Sequence, residues 1–369
     1  MTQEKKKNRI IFIDLMRALA VLMMVQGHTV DTFLADSYRT FDSPLFTLWW
    51  SIRGLTAPIF LFTAGTVFTY LLRLNQVPFK ENPRVKKGVK RFFLLIFIAY
   101  FMRYPTPYVV YFKEVTDYQW KNFFAVDVLH LIAFGILFVV GLAYFGEKFK
   151  IRDQILFPLA ALISFVLYTP FSKINWVSFL PMPVAGYFYQ GTGSLFPLVP
   201  WTGFVFSGAF LGSYLAHNPD TFKSKTFSIR LLYAGLFFLA FSGIGDALEI
   251  AFYGGSNFWT TSPNLVFFRL GIVILLNSMV SYIALKFQNI PKLLMQIGRN
   301  SLPIYVVHII ILYGSAWTLG LWSVFAKSFN VWSTIGAAIA MITLMISMVH
   351  GFQLVKVVIK KKEYISTTS

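Results

Sequence analysis

Apolar runs of about 20 residues follow one another, separated by short polar segments. That length crosses the hydrocarbon core of a bilayer as a helix. Inside a bilayer only helices and closed barrels satisfy their own backbone hydrogen bonds. Ten runs are read, at about 10–31, 45–72, 91–104, 123–145, 154–169, 196–216, 229–252, 264–286, 300–320 and 331–355. The chain has 369 residues, 56% hydrophobic and only 13% charged, with 41 phenylalanines. This is the profile of a polytopic membrane protein. The expected fold is all-α, a bundle of about ten transmembrane helices. It is expected to form one domain over 1–369, with 1–9 and 358–369 as cytoplasmic tails and with both termini cytoplasmic.

The net charge of +18 would suggest nucleic acid in a soluble protein; here orientation in the membrane explains it, and no nucleic acid partner is expected. With the N-terminus inside, 24 of the 33 Lys and Arg fall in inner segments and eight in outer ones, and Arg17 sits within the first span. A bias of that size, kept through every loop, is the positive-inside pattern. The basic opening KKKNR resembles a signal peptide, but Asp14 and Arg17 make the following run too polar, and it is kept as the first span. Absence of cysteine excludes disulfides, thiolate metal sites and a cysteine acyl carrier. The inner loop NQVPFKENPRVKKGVKR either anchors the chain or docks a polyanion such as a nucleotide. The outer loop around Trp176, Tyr187, Phe188 and Tyr189 either joins the interfacial aromatic belt or stacks on a sugar ring.

Ionisable groups inside a span are costly, so they mark candidate functional sites. The first span carries three: Asp14, Arg17 and His28. Asp14 and Arg17 are i and i+3, neighbours on a helix. Arg17 to His28 is eleven residues, which returns to within roughly 20° of the same face about 16 Å further along. The plain alternative is a span with polar ends and one satisfied histidine. The topology puts Asp14 and Arg17 on the inner side and His28 toward the outside. Asp127 and His130 on the fourth span, Trp201 at the mouth of the sixth and Arg269 at the start of the eighth share the depth of His28. The ninth begins inside with Arg299 and carries Tyr305 and His308 deeper. Each has a structural alternative: Asp127 as a partner of Arg269 or a cap for His130, and His308 as a core histidine. No tight metal-ligand motif is present, so no metal is expected.

RIIFIDLMRALAVLMMVQGH resembles the opening motif of the transmembrane acyltransferases, which include the acyltransferase-3 and heparan-α-glucosaminide N-acetyltransferase-like proteins. The spacing of Arg17 and His28 is its most specific part. APIFLFTAGTVF (57–68) and GRNSLPIYVVHIII (298–311) resemble later motifs of the group. FPLVPWTGFVFSGAFLG (196–212) resembles the heparan branch, although Ala18 replaces the glycine common there. The resemblance implies a catalytic His28 and a motif arginine at Arg17. It implies acyl transfer from acyl-CoA, chiefly acetyl-CoA, to a hydroxyl or amine of a sugar or glycan outside the cytoplasm.

The residues fit that chemistry. An imidazole can act as base near neutral pH or carry the acyl group. Arg17, with Asp14 and Arg299, would hold the donor. Asp127 would orient an imidazole or bind the acceptor, while His130, Trp201, Arg269, Tyr305 and His308 would line the pocket. No bound cofactor is expected beyond the donor. The lipid bilayer is the surrounding partner, the expected location is the bacterial inner membrane, and a homodimer is allowed. A proton-coupled transporter is the rival class, but neither paired repeats nor matched broken helices are visible. A non-catalytic scaffold would leave the buried charges without a purpose.

Overall fold

The computed structural model describes residues 10–287 and 289–368, with side chains through 355. The N-terminal tail 1–9 and Ser369 lie outside the described residues. The helices in order are α1 (Ile11–Phe33), α2 (Pro44–Arg53), α3 (Thr56–Arg73), α4 (Pro83–Met102), α5 (Asp117–Phe124), α6 (Val128–Lys148), α7 (Asp153–Val166) and α8 (Tyr168–Lys173). Then follow α9 (Met182–Ala185), α10 (Leu198–His217), α11 (Lys225–Tyr253), α12 (Pro263–Lys286), α13 (Lys292–Arg299), α14 (Ser301–Tyr313), α15 (Trp322–Phe325) and α16 (Val331–Thr368). The β-structure among the described residues is a two-residue hairpin after α14 and a bridge between Leu34 and Phe329. The fold is all-α and polytopic, as the apolar runs predict.

Among the described residues, eight helices, or helix pairs such as α2–α3, are long and apolar enough to cross a membrane; the bent pair α13–α14 makes nine. The tenth expected span, at 91–104, lies in α4. That helix starts eight residues earlier, because Asn82 accepts from the Arg84 N–H as an N-cap and Pro83 begins the first turn. Its first half is basic, with Arg84, Lys86, Lys87, Lys90 and Arg91, which lowers its mean hydropathy. The ninth span also differs from the reading 300–320. Helix begins at Lys292, bends by 71° at Asn300 and stops at Tyr313. Gly314, with φ +82°, ends it in a conformation that favours glycine.

The chain forms two compact units: residues 1–56 with 287–369, and 57–286. In the first, α1 packs against α13, α14 and α16. Gly298 makes this possible: a Cβ there would strike the Asp14 carbonyl and approach the Ala18 amide. In the second, α10 is the central helix, packed on α6 and α7. Its Gly208 and Gly212 lie directly on the Phe62 and Thr66 carbonyls of α3, where no side chain fits. This is the small-xxx-small solution to helix contact in lipid. Arg73 holds Asp153 through two hydrogen bonds of 2.7 and 2.8 Å, and Ser213 donates to the same carboxylate at 2.6 Å.

Candidate active site

Helix α1 supplies both ends of the site in the first unit. At its start, Arg17 Nη2 donates to Ser301 Oγ at 2.8 Å, and Asp14 pairs with Arg299 Nε at 3.4 Å. The α13–α14 bend places Arg299 and Ser301 together at this end. Pro303 sits in the first turn of α14, where a missing N–H costs little. Near its other end, α1 presents His28, half-buried.

His28 has two neighbours from α14. Its Nδ1 lies 3.3 Å from Tyr313 Oη. Its ring centre is 5.5 Å from that of His308. His308 is fully buried. Its Nδ1 is 2.6 Å from the Ile304 carbonyl, which can only accept, so that nitrogen carries the proton. The neutral ring then presents a lone pair at Nε2, which is buried with no hydrogen-bond partner. Buried polar atoms are ordinarily paired, so an orphaned nitrogen beside a second imidazole is a feature of interest. Tyr305 packs on the same ring, 5.8 Å between centres.

Asp127, His130, Trp201 and Arg269 belong to the second unit, where they form two pairs. Asp127 is the N-cap of α6: its Oδ1 accepts from the N–H groups of Leu129 at 2.9 Å and His130 at 3.2 Å. His130 Nδ1 lies 2.9 Å from the same oxygen, and Arg103 Nε is 3.6 Å from Oδ2. Capping accounts for these contacts without a reaction. The alternative pairing of Asp127 with Arg269 does not occur; Arg269 lies over the Trp201 ring at 5.8 Å. His130 also meets Tyr100, whose hydroxyl is 3.0 Å from that of Tyr187. Burial, with this hydrogen bond second, pushes the Tyr187 phenol well above its usual range, so it stays protonated at neutral pH.

Sequence reasoning missed Tyr313, Ser301 and Arg103. Each meets its partner only through packing. It also passed over Asp31, although a carboxylate three residues after His28 shares its face.

Apolar spans with ionisable groups packed at both ends of one helix define an integral membrane protein with an internal polar site. The acyltransferase domain matches residues 10–350, most of the chain and parts of both units. The chain therefore belongs to the acyltransferase-3 family and is a membrane acyltransferase. A comparison with curated proteins finds no match.

Proposed function

We propose that this enzyme moves an acyl group, chiefly acetyl, from cytoplasmic acyl-CoA to a hydroxyl or amine of a sugar-type acceptor outside the bacterial inner membrane. His28 is the reacting imidazole. The observation that carries this reading is the arrangement around His28: half-buried, with Tyr313 on Nδ1 and the unpartnered Nε2 of His308 in the adjoining ring. The tautomer that donates its Nδ1–H to Tyr313 leaves an Nε2 lone pair for the substrate, in the way an oriented imidazole serves as general base. It removes the acceptor proton as the oxygen or nitrogen attacks the thioester carbonyl. The C–S bond breaks, and the proton passes from the imidazolium to the departing CoA sulfur. In a two-stage route, Nε2 itself attacks the thioester carbonyl and expels CoA as the thiolate; the acceptor then displaces the imidazole from the acyl carbon, and its proton neutralises the thiolate.

Arg17 and the Asp14–Arg299 pair serve the donor. A guanidinium fixed by Ser301 keeps N–H groups in a fork suited to phosphate or the amides of the pantetheine arm. The experiment supplies labelled acetyl-CoA to the purified protein with a panel of amino sugars, glycans and polyols. Labelled acetyl-sugar supports the proposal; label that never leaves CoA with any acceptor contradicts it. Arg17→Ala is expected to raise the apparent KM for acetyl-CoA and leave that for the acceptor unchanged. An unchanged donor KM would assign Arg17 to the fold.

A further inference from the structure

Beyond His28, the C-terminal end of α1 carries a polar cluster that the transfer chemistry does not use. Asp31 lies three residues on, so it shares the face of His28. Arg53, the last residue of α2, pairs with Asp31 through Nη2. Its stem runs beside Gly27: a Cβ on that glycine would lie 3.8 Å from Arg53 Cγ. The stem therefore passes the turn that presents His28, and the guanidinium reaches on to Asp31. Its carbon is 5.0 Å from the Trp50 ring centre and 5.6 Å from that of Trp49. Trp50 is 44% exposed, and the Trp49 indole N–H is buried without a partner.

The hydrogen-bonding capacity here is uneven. Arg39 spends its donors on the carbonyls of Val30, Asp31 and Leu34 at the end of α1. Among the described residues Arg53 makes one hydrogen bond, to Asp31, although a guanidinium carries five N–H groups. Arg39, Arg53 and Lys327 face Asp31 and Asp36, which leaves one positive charge in excess. Unused donors select an oxygen-rich ligand. The surplus charge selects an anion, and the part of the Trp50 ring left exposed beside its contacts with Phe41, Phe46, Trp49 and Arg53 selects a ligand with a small flat apolar side.

We infer that Trp49, Trp50, Arg53 and Asp31 form an acceptor subsite for an acidic sugar, a pyranose bearing a carboxylate. This rests on the reading that the acceptor meets His28. The exposed part of the Trp50 ring covers the C–H side of the sugar. The remaining N–H groups of Arg53 take the carboxylate, and Asp31 accepts from a ring hydroxyl. The ion pair with Asp31 fixes the guanidinium before the ligand arrives, so little order is lost on binding.

The test is equilibrium binding of radiolabelled glucuronate to the full-length detergent-solubilised protein, with unlabelled glucose and acetate as competitors. Saturable glucuronate binding is expected, with glucose and acetate each weaker by about tenfold or more, since each lacks one half of the recognition. Trp50→Ala should weaken glucuronate about tenfold, and Arg53→Gln should remove the preference over glucose. Trp50 is exposed, so its truncation tests the subsite even where Arg53→Gln fails to fold. Absence of saturable binding, glucose competing as well as glucuronate, or unchanged binding in Trp50→Ala would overturn the inference. Binding is read without any transfer step. Failure of the His28 transfer proposal would therefore leave a positive binding result standing as a sugar site, and failed binding beside intact transfer would remove the subsite alone.

Discussion

His28 and Asp127 show how differently two ionisable residues can be used. Both stand near the end of a long apolar helix. Asp127 is enclosed by the N–H groups it caps and by His130 and Arg103. Asparagine caps a helix about as well as aspartate. Asp127→Asn is therefore expected to keep the fold and to lower transfer less than about tenfold; a larger loss in a protein of unchanged melting temperature would make the carboxylate part of the chemistry. The Nδ1 of His308 is engaged by the Ile304 carbonyl, which leaves Nε2 and the ring contact with His28. His308→Ala should reduce turnover while leaving the apparent KM for acetyl-CoA unchanged, as steady-state kinetics would show. An increase in that KM would move His308 to the donor end. That Arg17 and His28 share one helix was legible in the sequence, because helical spacing alone relates their positions. Tyr313 lies 285 residues from His28. No periodicity links them, only the packing of α14 on α1.

At the scale of helices, the apolar runs located the elements, and local chemistry moved their ends. Asn82 and Pro83 extended α4 back into a stretch whose charges read as loop. Gly314 ended α14 ahead of the expected boundary. The bend at Asn300 was not legible, because GRNSLPIY carries no proline at the break itself. The close contact of α10 with α3 was partly written in the sequence, since Gly208 and Gly212 are four apart. Overpacking such a contact costs about 1–3 kcal/mol or more. Gly208→Leu is expected to lower the melting temperature in detergent and to broaden the gel-filtration peak. A variant as stable as the parent would mean that the α3–α10 approach is looser than the carbonyl contact implies.

For the whole molecule, charge bias predicts orientation and α4 decides its parity. If α4 crosses the membrane, the segments before and after it lie on opposite sides. The chain has no cysteine, so single cysteines report cleanly. Asn75→Cys should react with an impermeant thiol reagent only from the cytoplasmic side, and Val110→Cys, at a site 84% exposed, only from outside. Same-side labelling would leave α4 outside the set of spans and reverse the orientation of everything after it. Composition and charge made the membrane class legible. Division into two units was not, because it depends on residues 287–369 returning to pack with α1.

Acetyl transfer by His28→Ala tests whether His28 is the reacting imidazole. Purified parent and variant receive labelled acetyl-CoA and an acceptor that the parent acetylates, with gel filtration and melting temperature as controls for folding. Loss of a positioned base costs roughly 10² to 10⁴ in rate. The expected variant elutes and melts like the parent and has lost nearly all turnover. A folded His28→Ala protein that keeps more than about a tenth of parental turnover would contradict that role.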